Sequence, residues 1–379
     1  MYDASDDFHT AVKNGNPQMP LLIFSDTVFT AEDIDVTAGI EFDDLFNTEE
    51  DIAIGQTLKN NIRFSLFNDN QLLNDYTFGE FIATIGVLIA SEEFSSESQV
   101  FVENGDNVYR GYSYEPYLVI NGQEPATQPD GPVRNILVYD GYIYVFTATG
   151  YNVYSEETGE AVAKTVSPFM AYKGKHFENS FGAIYDNDTR ILTIYRSDVQ
   201  ETYEFVPLGV FLADRPDAPM VHTINMVCDD RMKKFDVNMP DNASLDITFP
   251  TTIATLYTKM CDYLGVPYET DEFINSDGVI SKRPKEFDNA TMRQVLAWIA
   301  ESAGSNAKFN RDGELRLEWL KTTEVELDEH DYRTFDPCWY ETEQVDKLCN
   351  RAQGSTDTTY GSGSVGYLIL DNPLLKGVS

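Results

Sequence analysis

Residues 287–320 read FDNATMRQVLAWIAESAGSNAKFNRDGELRLEWL. Asn289 or Thr291 can accept hydrogen bonds from the first free backbone N–H groups of a helix. Met292, Val295, Leu296, Ile299 and Ala300 then recur at helical spacing, which predicts one apolar stripe facing a core. Gly304 ends the helix because glycine enters the left-handed conformation without a steric penalty. A short strand at 306–310, a turn at Arg311-Asp312-Gly313 and an alternating strand at 314–319 complete a helix followed by a hairpin.

The order T-x-R-Q-V-L-x-x-I-A-E-x-A-G-x-N-A-x-x-N-R-D-G-x-L, residues 291–315 here, resembles the middle domain of tailed-phage baseplate hub proteins. These include the tail-tip hubs of siphophages and the central hub of contractile tails. Other segments resemble the same family in the same order. Glu49 to Gly55 carries an acidic E-x-D-x-x-I-G, followed by N-x-I-x-F-x-L-x-N at Asn60 to Asn68. Tyr203 to Phe211 contains P-L-G-x-F, read as a turn feeding a strand. Ile224 to Met232 contains I-x-x-x-x-x-D-x-M, read as a buried strand ending in an acidic turn. Tyr367 to Leu375 reads Y-x-I-x-D-N-P-L-L.

Working outward, 21–24, 62–67 and 81–88 read as strands, and 251–264 as an amphipathic helix with Ile253, Leu256, Met260 and Cys261 inward, stopped by Gly265. Residues 92–200 depart from the family pattern. A polar stretch at 91–98 and a Pro/Gly/Gln-rich segment at 121–132 precede two aromatic hairpins, one turning at Asp140-Gly141 and one spanning 182–195. Such hairpins can bind sugars; packed sheet faces are their commoner use. The expected fold is mixed and mostly β: tail-tube-like β-barrel domains with a β insertion and a small α+β domain. The expected division is 1–91 (first hub barrel, first part), 92–200 (inserted β domain), 201–240 (return to the first barrel), 241–324 (α+β middle domain) and 325–379 (start of a second barrel, abbreviated or continued in a longer polypeptide).

The 379 residues include 63 acidic against 27 basic side chains, a net charge of −36. That balance argues against nucleic-acid binding through a basic surface and against docking on an anionic membrane. No run approaches the roughly 18 apolar residues of a membrane span, and the acidic N-terminus lacks a signal-peptide core. Between Asn14 and Leu58 there are ten carboxylates and no Lys or Arg. Such a block is either a solvated face or a wall that keeps DNA from adhering.

Enzymatic chemistry finds no address. The glycines at 361–366 lack the lysine and the strand–helix context of a phosphate loop. Asn310–Gly313 and Asp186–Asp188 lack the ligand spacing of a calcium loop and read as turns. Carboxylates are too abundant for a glycosidase pair to be singled out. His9, His176, His222 and His330 have no nucleophile in a recognisable elbow, and Cys228, Cys261, Cys338 and Cys349 form no CxxC, so they read as reduced thiols. The expectation is therefore no catalytic, cofactor-binding or metal-binding residue and no cofactor.

The resemblance implies a structural hub in the virion, at the tail tip or baseplate, assembled in a bacterial cytoplasm. In that family two barrels per chain and three chains per ring join a six-fold tail tube to a three-fold tip and line the DNA channel. The implied partners are two further copies in a homotrimer, tail-tube and distal tail proteins, and a tip or spike protein, with no specific nucleic-acid binding and no membrane span. The alternative is a tail-associated enzyme that degrades cell wall or polysaccharide, or the carrier of such a domain beyond residue 379. Sugar binding by the 92–200 insertion is compatible with the hub.

Overall fold

The computed structural model describes residues 4–25, 27–35, 37, 39–43, 54–68, 73, 76–93, 99–148, 150–162, 180–186, 188–196, 199–213, 222–319, 347–350, 358–360, 367–370 and 372–375. Helix α1 (Asp6–Lys13) is followed by β1 (Gln18–Phe24), β2 (Val28–Thr30), β3 (Glu41–Asp43), β4 (Asn61–Phe67) and β5 (Glu80–Glu93). Then come β6 (Gln99–Asn104), β7 (Asn107–Tyr112), β8 (Leu118–Ile120), β9 (Val133–Tyr139), β10 (Tyr142–Thr147), β11 (Gly150–Ser155), β12 (Ala161–Val162), β13 (Ser180–Asp186), β14 (Ile191–Arg196), β15 (Val199–Ala213) and β16 (Thr223–Asp230). The remainder holds β17 (Thr251–Thr252), α2 (Ile253–Leu264), β18 (Val279–Ile280), α3 (Met292–Ser302), β19 (Asn306–Phe309), β20 (Leu315–Glu318), β21 (Lys347–Asn350), β22 (Thr358–Tyr360) and β23 (Tyr367–Leu370). The protein is mostly β with small helical parts, as its alternating aromatic sequence requires.

The largest sheet has nine strands in the order β2-β1-β5-β15-β16-β4-β3, with β14 added on β15 and β13 on β14. Its path ends at β2 and β3, and no ladder joins those two ends among the described residues. The barrel expected from the family pattern is therefore not closed there. The P-L-G-x-F segment also differs from expectation: it lies inside the continuous strand β15 rather than in a turn. Phe211 and its neighbours pair with Asp230 and Asp229 of β16, and that ladder holds the segment extended. The chain divides into two compact units, residues 1–30 with 84–206, and residues 31–83 with 207–379.

In the first unit, β1, β14 and β15 bury Leu21, Ile23, Leu192, Ile194, Tyr203 and Phe205 in one cluster. The hairpin at 182–195, grouped by sequence with the insertion, is thus β13 and β14 of the main sheet. A four-stranded sheet, β12-β11-β10-β9, turns at Asp140 and Gly141, both at positive φ (51° and 76°), as a two-residue hairpin demands. Strand β10 is buried on both faces. Ile143 and Val145 pack with Val100, Tyr109, Leu118 and Ile120 from the three-stranded sheet β6-β7-β8. On the other side, Phe146 stacks on Tyr195 with ring centres 5.2 Å apart. A strand covered twice needs a continuous apolar run, which explains the IYVF sequence at 143–146.

In the second unit, β4, β5 and β15 contribute Phe64, Phe81 and Phe211, whose ring centres lie 5.8 and 5.9 Å apart in sequence around Phe81. The predicted helix–hairpin is α3 with β19 and β20. Met292, Val295, Leu296, Ile299 and Ala300 are all fully buried. They share a core with Ile253, Leu256, Tyr257, Met260 and Cys261 of α2. Tyr257 joins that face because its hydroxyl donates to the Leu315 carbonyl at 3.1 Å, which satisfies a polar tip inside an apolar core. The acidic stretch 44–53, residues 163–179, 320–346 and most of 351–366 lie outside the described residues. Among the described residues of 325–379, β21 pairs antiparallel with β22 and parallel with β23.

Candidate functional site

Several of the patterned segments meet at one joint within the second unit. It is built around α3. Thr291 caps the helix: its side chain accepts from Gln294 N–H, and the Gln294 side chain returns a bond to Thr291 N–H at 2.9 Å. This capping box fixes where the helix begins, and hence where Arg293 points. Arg293 donates from Nε to Thr57 Oγ1 and from Nη2 to the Thr57 carbonyl, both at 3.0 Å, and from Nη1 to Asp236 at 3.1 Å.

Residues 55–58 lie along β19 as an added strand edge. Gly55 N–H donates to Ser305 O, Ala307 N–H to Gln56 O, and Leu58 N–H to Ala307 O, each at 2.8 Å. Gln56 N–H also donates to Asn306 Oδ1 at 3.0 Å. Gly55 sits at φ 80°, and a Cβ there would lie 2.8 Å from Cβ of Glu301. Glycine at this position is thus required both by conformation and by the approach of α3.

From the opposite side, Asp230 ends β16 and caps the 3-10 turn Arg231–Phe235. Its two oxygens accept from Asn60 N–H at 2.9 Å and Met232 N–H at 3.0 Å. The I-x-x-x-x-x-D-x-M pattern thus ends in the predicted acidic turn, but its strand is buried on one face only, alternating buried and exposed residues rather than being buried throughout. Burial pushes the Asp230 carboxyl up to about 7, against the lowering effect of those two backbone donors. Arg231 donates to the Gly313 carbonyl at 2.6 Å and to Glu80, and Lys234 reaches Glu80 at 3.0 Å. The bond from Arg231 is the first cause holding Glu80 below the ordinary carboxylate range. Gly313, at φ 78°, has no room for a side chain, since its Cβ would meet Val210 at 2.5 Å. Asn372 is fully buried and donates to the Trp298 carbonyl at 2.7 Å and to Glu301 at 2.8 Å, so Leu374 can enter the α3 core.

Chemically, this arrangement is a clamp. Asp230 spends both oxygens on backbone amides, as a cap does. Among the described residues, no group of three or more His, Cys, Asp or Glu side chains is arranged to hold a metal ion. Cys228 and Cys261 are buried and lie outside any disulfide, and burial pushes the Cys261 thiol up to about 12. His9 lies on α1 and His222 precedes β16, while His176, His330 and Cys338 lie outside the described residues. Asn310 takes the Asp312 and Glu314 amides on its side-chain oxygen, which makes Asn310–Gly313 a turn. No helix among the described residues is long and apolar enough to cross a membrane.

Sequence reading missed the roles of Glu80, Arg231, Arg293 and Asn372. One signal was available. In a chain with so few cations, Arg231 and Arg293 fall inside the patterned segments rather than on the polar stretches between them.

No protein-family model matches the chain. No curated protein matches it either. Among solved structures, the 43 kDa tail protein of prophage MuSo2 from Shewanella oneidensis aligns over 93% of this chain and 71% of its own length. The identity is 9% and the TM-score 0.33, a likeness too distant to carry an inference.

Proposed function

We propose that this chain is a structural hub of a phage or phage-like tail, sitting at the baseplate or tail tip between tube and tip proteins. The supporting observation is the joint. Six segments resemble the hub family, and they come from residues as far apart as 55 and 372. Gly55, Asp230, Gly313 and Asn372 each fall in one of them and each bonds at that joint, Asp230 and Asn372 through the side chain, Gly55 and Gly313 through a backbone that only glycine fits there. A resemblance arising by chance would have no reason to collect its patterned residues in one place.

On this reading the chain works as a homotrimer that adapts a six-fold tube to a three-fold tip, lines the channel for DNA ejection and performs no catalysis. Closed symmetry is the general solution for such a ring. Native mass measurement of the purified chain, with imaging of the tail tip that carries it, tests the proposal. Three copies around the tail axis are expected. A dimer on particles, or absence of the chain from purified particles, overturns it. The enzymatic alternative is tested separately: purified peptidoglycan incubated with the chain should release no soluble fragments.

A further inference from the structure

The three-stranded sheet β6-β7-β8 buries one face and leaves the other open. Val100, Tyr109, Leu118 and Ile120 point into the core against β9 and β10. The opposite face follows from the register. Gln99 pairs with Tyr112, Phe101 with Arg110, and Arg110 with Val119, so these side chains share one surface. All of them are exposed or half-buried. Phe101 is 48% exposed and Tyr114, just past β7, is 62% exposed.

This surface is ordered. Tyr112 lies against Tyr114 and Tyr117 with ring centres 5.7 and 5.3 Å away. Tyr117 donates to Glu124, Gln99 Nε2 to the Tyr112 hydroxyl at 3.3 Å, and the Arg110 guanidinium covers the Phe101 ring at 5.3 Å. Beside them opens a cavity of about 490 Å³ lined by Asp106, Asn107, Arg110, Val119 and Asn121. Asn121 is held in place: its oxygen accepts from Val108 N–H at 2.7 Å and its amide donates to Asn107 at 2.9 Å.

We propose that this face is a binding platform for a neutral oligosaccharide. Pyranose rings lie on Tyr112 and Tyr114 with the edge of Phe101 beside them, and their hydroxyls bond in the cavity at Asp106, Asn107 and Asn121. The C–H groups of a sugar ring carry partial positive charge and meet the negative face of an aromatic ring. Carboxylate and amide groups in fixed planes read hydroxyls. A polyanion is disfavoured, because Glu103, Asp106 and Glu124 flank the surface and Arg110 is the one cation between residues 99 and 133. The inference does not depend on the hub reading.

The test is titration of the full chain, by calorimetry, with hexamers of β-1,4-linked N-acetylglucosamine, β-1,4-linked glucose and α-1,4-linked glucose. At least one should bind. Tyr114→Ala and Phe101→Ala should each weaken that binding about three- to tenfold, the measure of one aromatic contact, without changing the melting temperature. Raising the salt concentration tenfold should leave the affinity unchanged. Failure of all three hexamers to bind overturns the proposal, as does binding that both variants leave intact. Loss of affinity with salt assigns the face to a charged partner instead. Self-association of the wild-type chain that Tyr114→Ala abolishes assigns it to a second copy, and either result also overturns the proposal.

Discussion

Leu296 is fully buried at the centre of the α3 stripe, with α2 and β19 packed around it. Truncating it removes packed atoms and leaves a cavity that the helix and strand around it cannot close. Leu296→Ala should cost about 2–5 kcal/mol in a denaturant melt. Asp230 sets a different dependence. Its carboxyl holds a proton in the fold up to about pH 7, whereas an unfolded aspartate releases it near 4. Unfolding in that window therefore releases a proton, and stability falls as pH rises from about 4 to 7 through this group. Melting temperatures across that range should show the decline, and Asp230→Asn should flatten it. Glu80 acts with the opposite sign. Its lowered value means that the stability it adds is present at neutral pH and is lost as pH falls below the usual carboxylate range.

At the scale of elements, α3 stands by its cap as well as its stripe. Thr291→Ala removes the acceptor for Gln294 N–H and half of the capping box. The expected loss is about 1 kcal/mol, measurable by thermal melting. Helices α2 and α3 were legible in the sequence because apolar positions at helical spacing, four in α2 and five in α3, end at a glycine in each, and α3 also carries a cap. The Asp140-Gly141 hairpin was legible for a similar reason, since a two-residue turn at positive φ admits few residues. The clamp was not. Glu80, Arg231 and Gly313 are separated by more than 80 positions of chain at each step, and local periodicity carries no information about such partners. Nor did the sequence distinguish β13 and β14 from the hairpin before them, because both alternate the same way and differ only in which sheet they join.

At the scale of the molecule, that last distinction has a measurable outcome. Replacing residues 92–200 by a Gly/Ser bridge removes Ala183, Leu192 and Ile194, which share a core with Leu21, Ile23 and Phe205. The shortened chain should be cleaved by protease within 1–30 and 201–206, where the intact chain resists. The sequence boundary at 200 reflected a change of pattern, and a change of pattern need not coincide with an edge of packing.

The added strand edge at 55–58 also leaves an early segment waiting during synthesis. Its partners at 305–307 lie 250 residues further on. At about 5–20 residues per second of synthesis, the early segment waits on the order of 10–50 s with its amide groups unpaired. A stalled nascent chain ending at residue 300 should therefore be cut near 55–60 by a protease, and one stalled well beyond 320 should not. A trigger-factor-type holdase present during translation should therefore raise the yield of this chain, most when elongation is slowed.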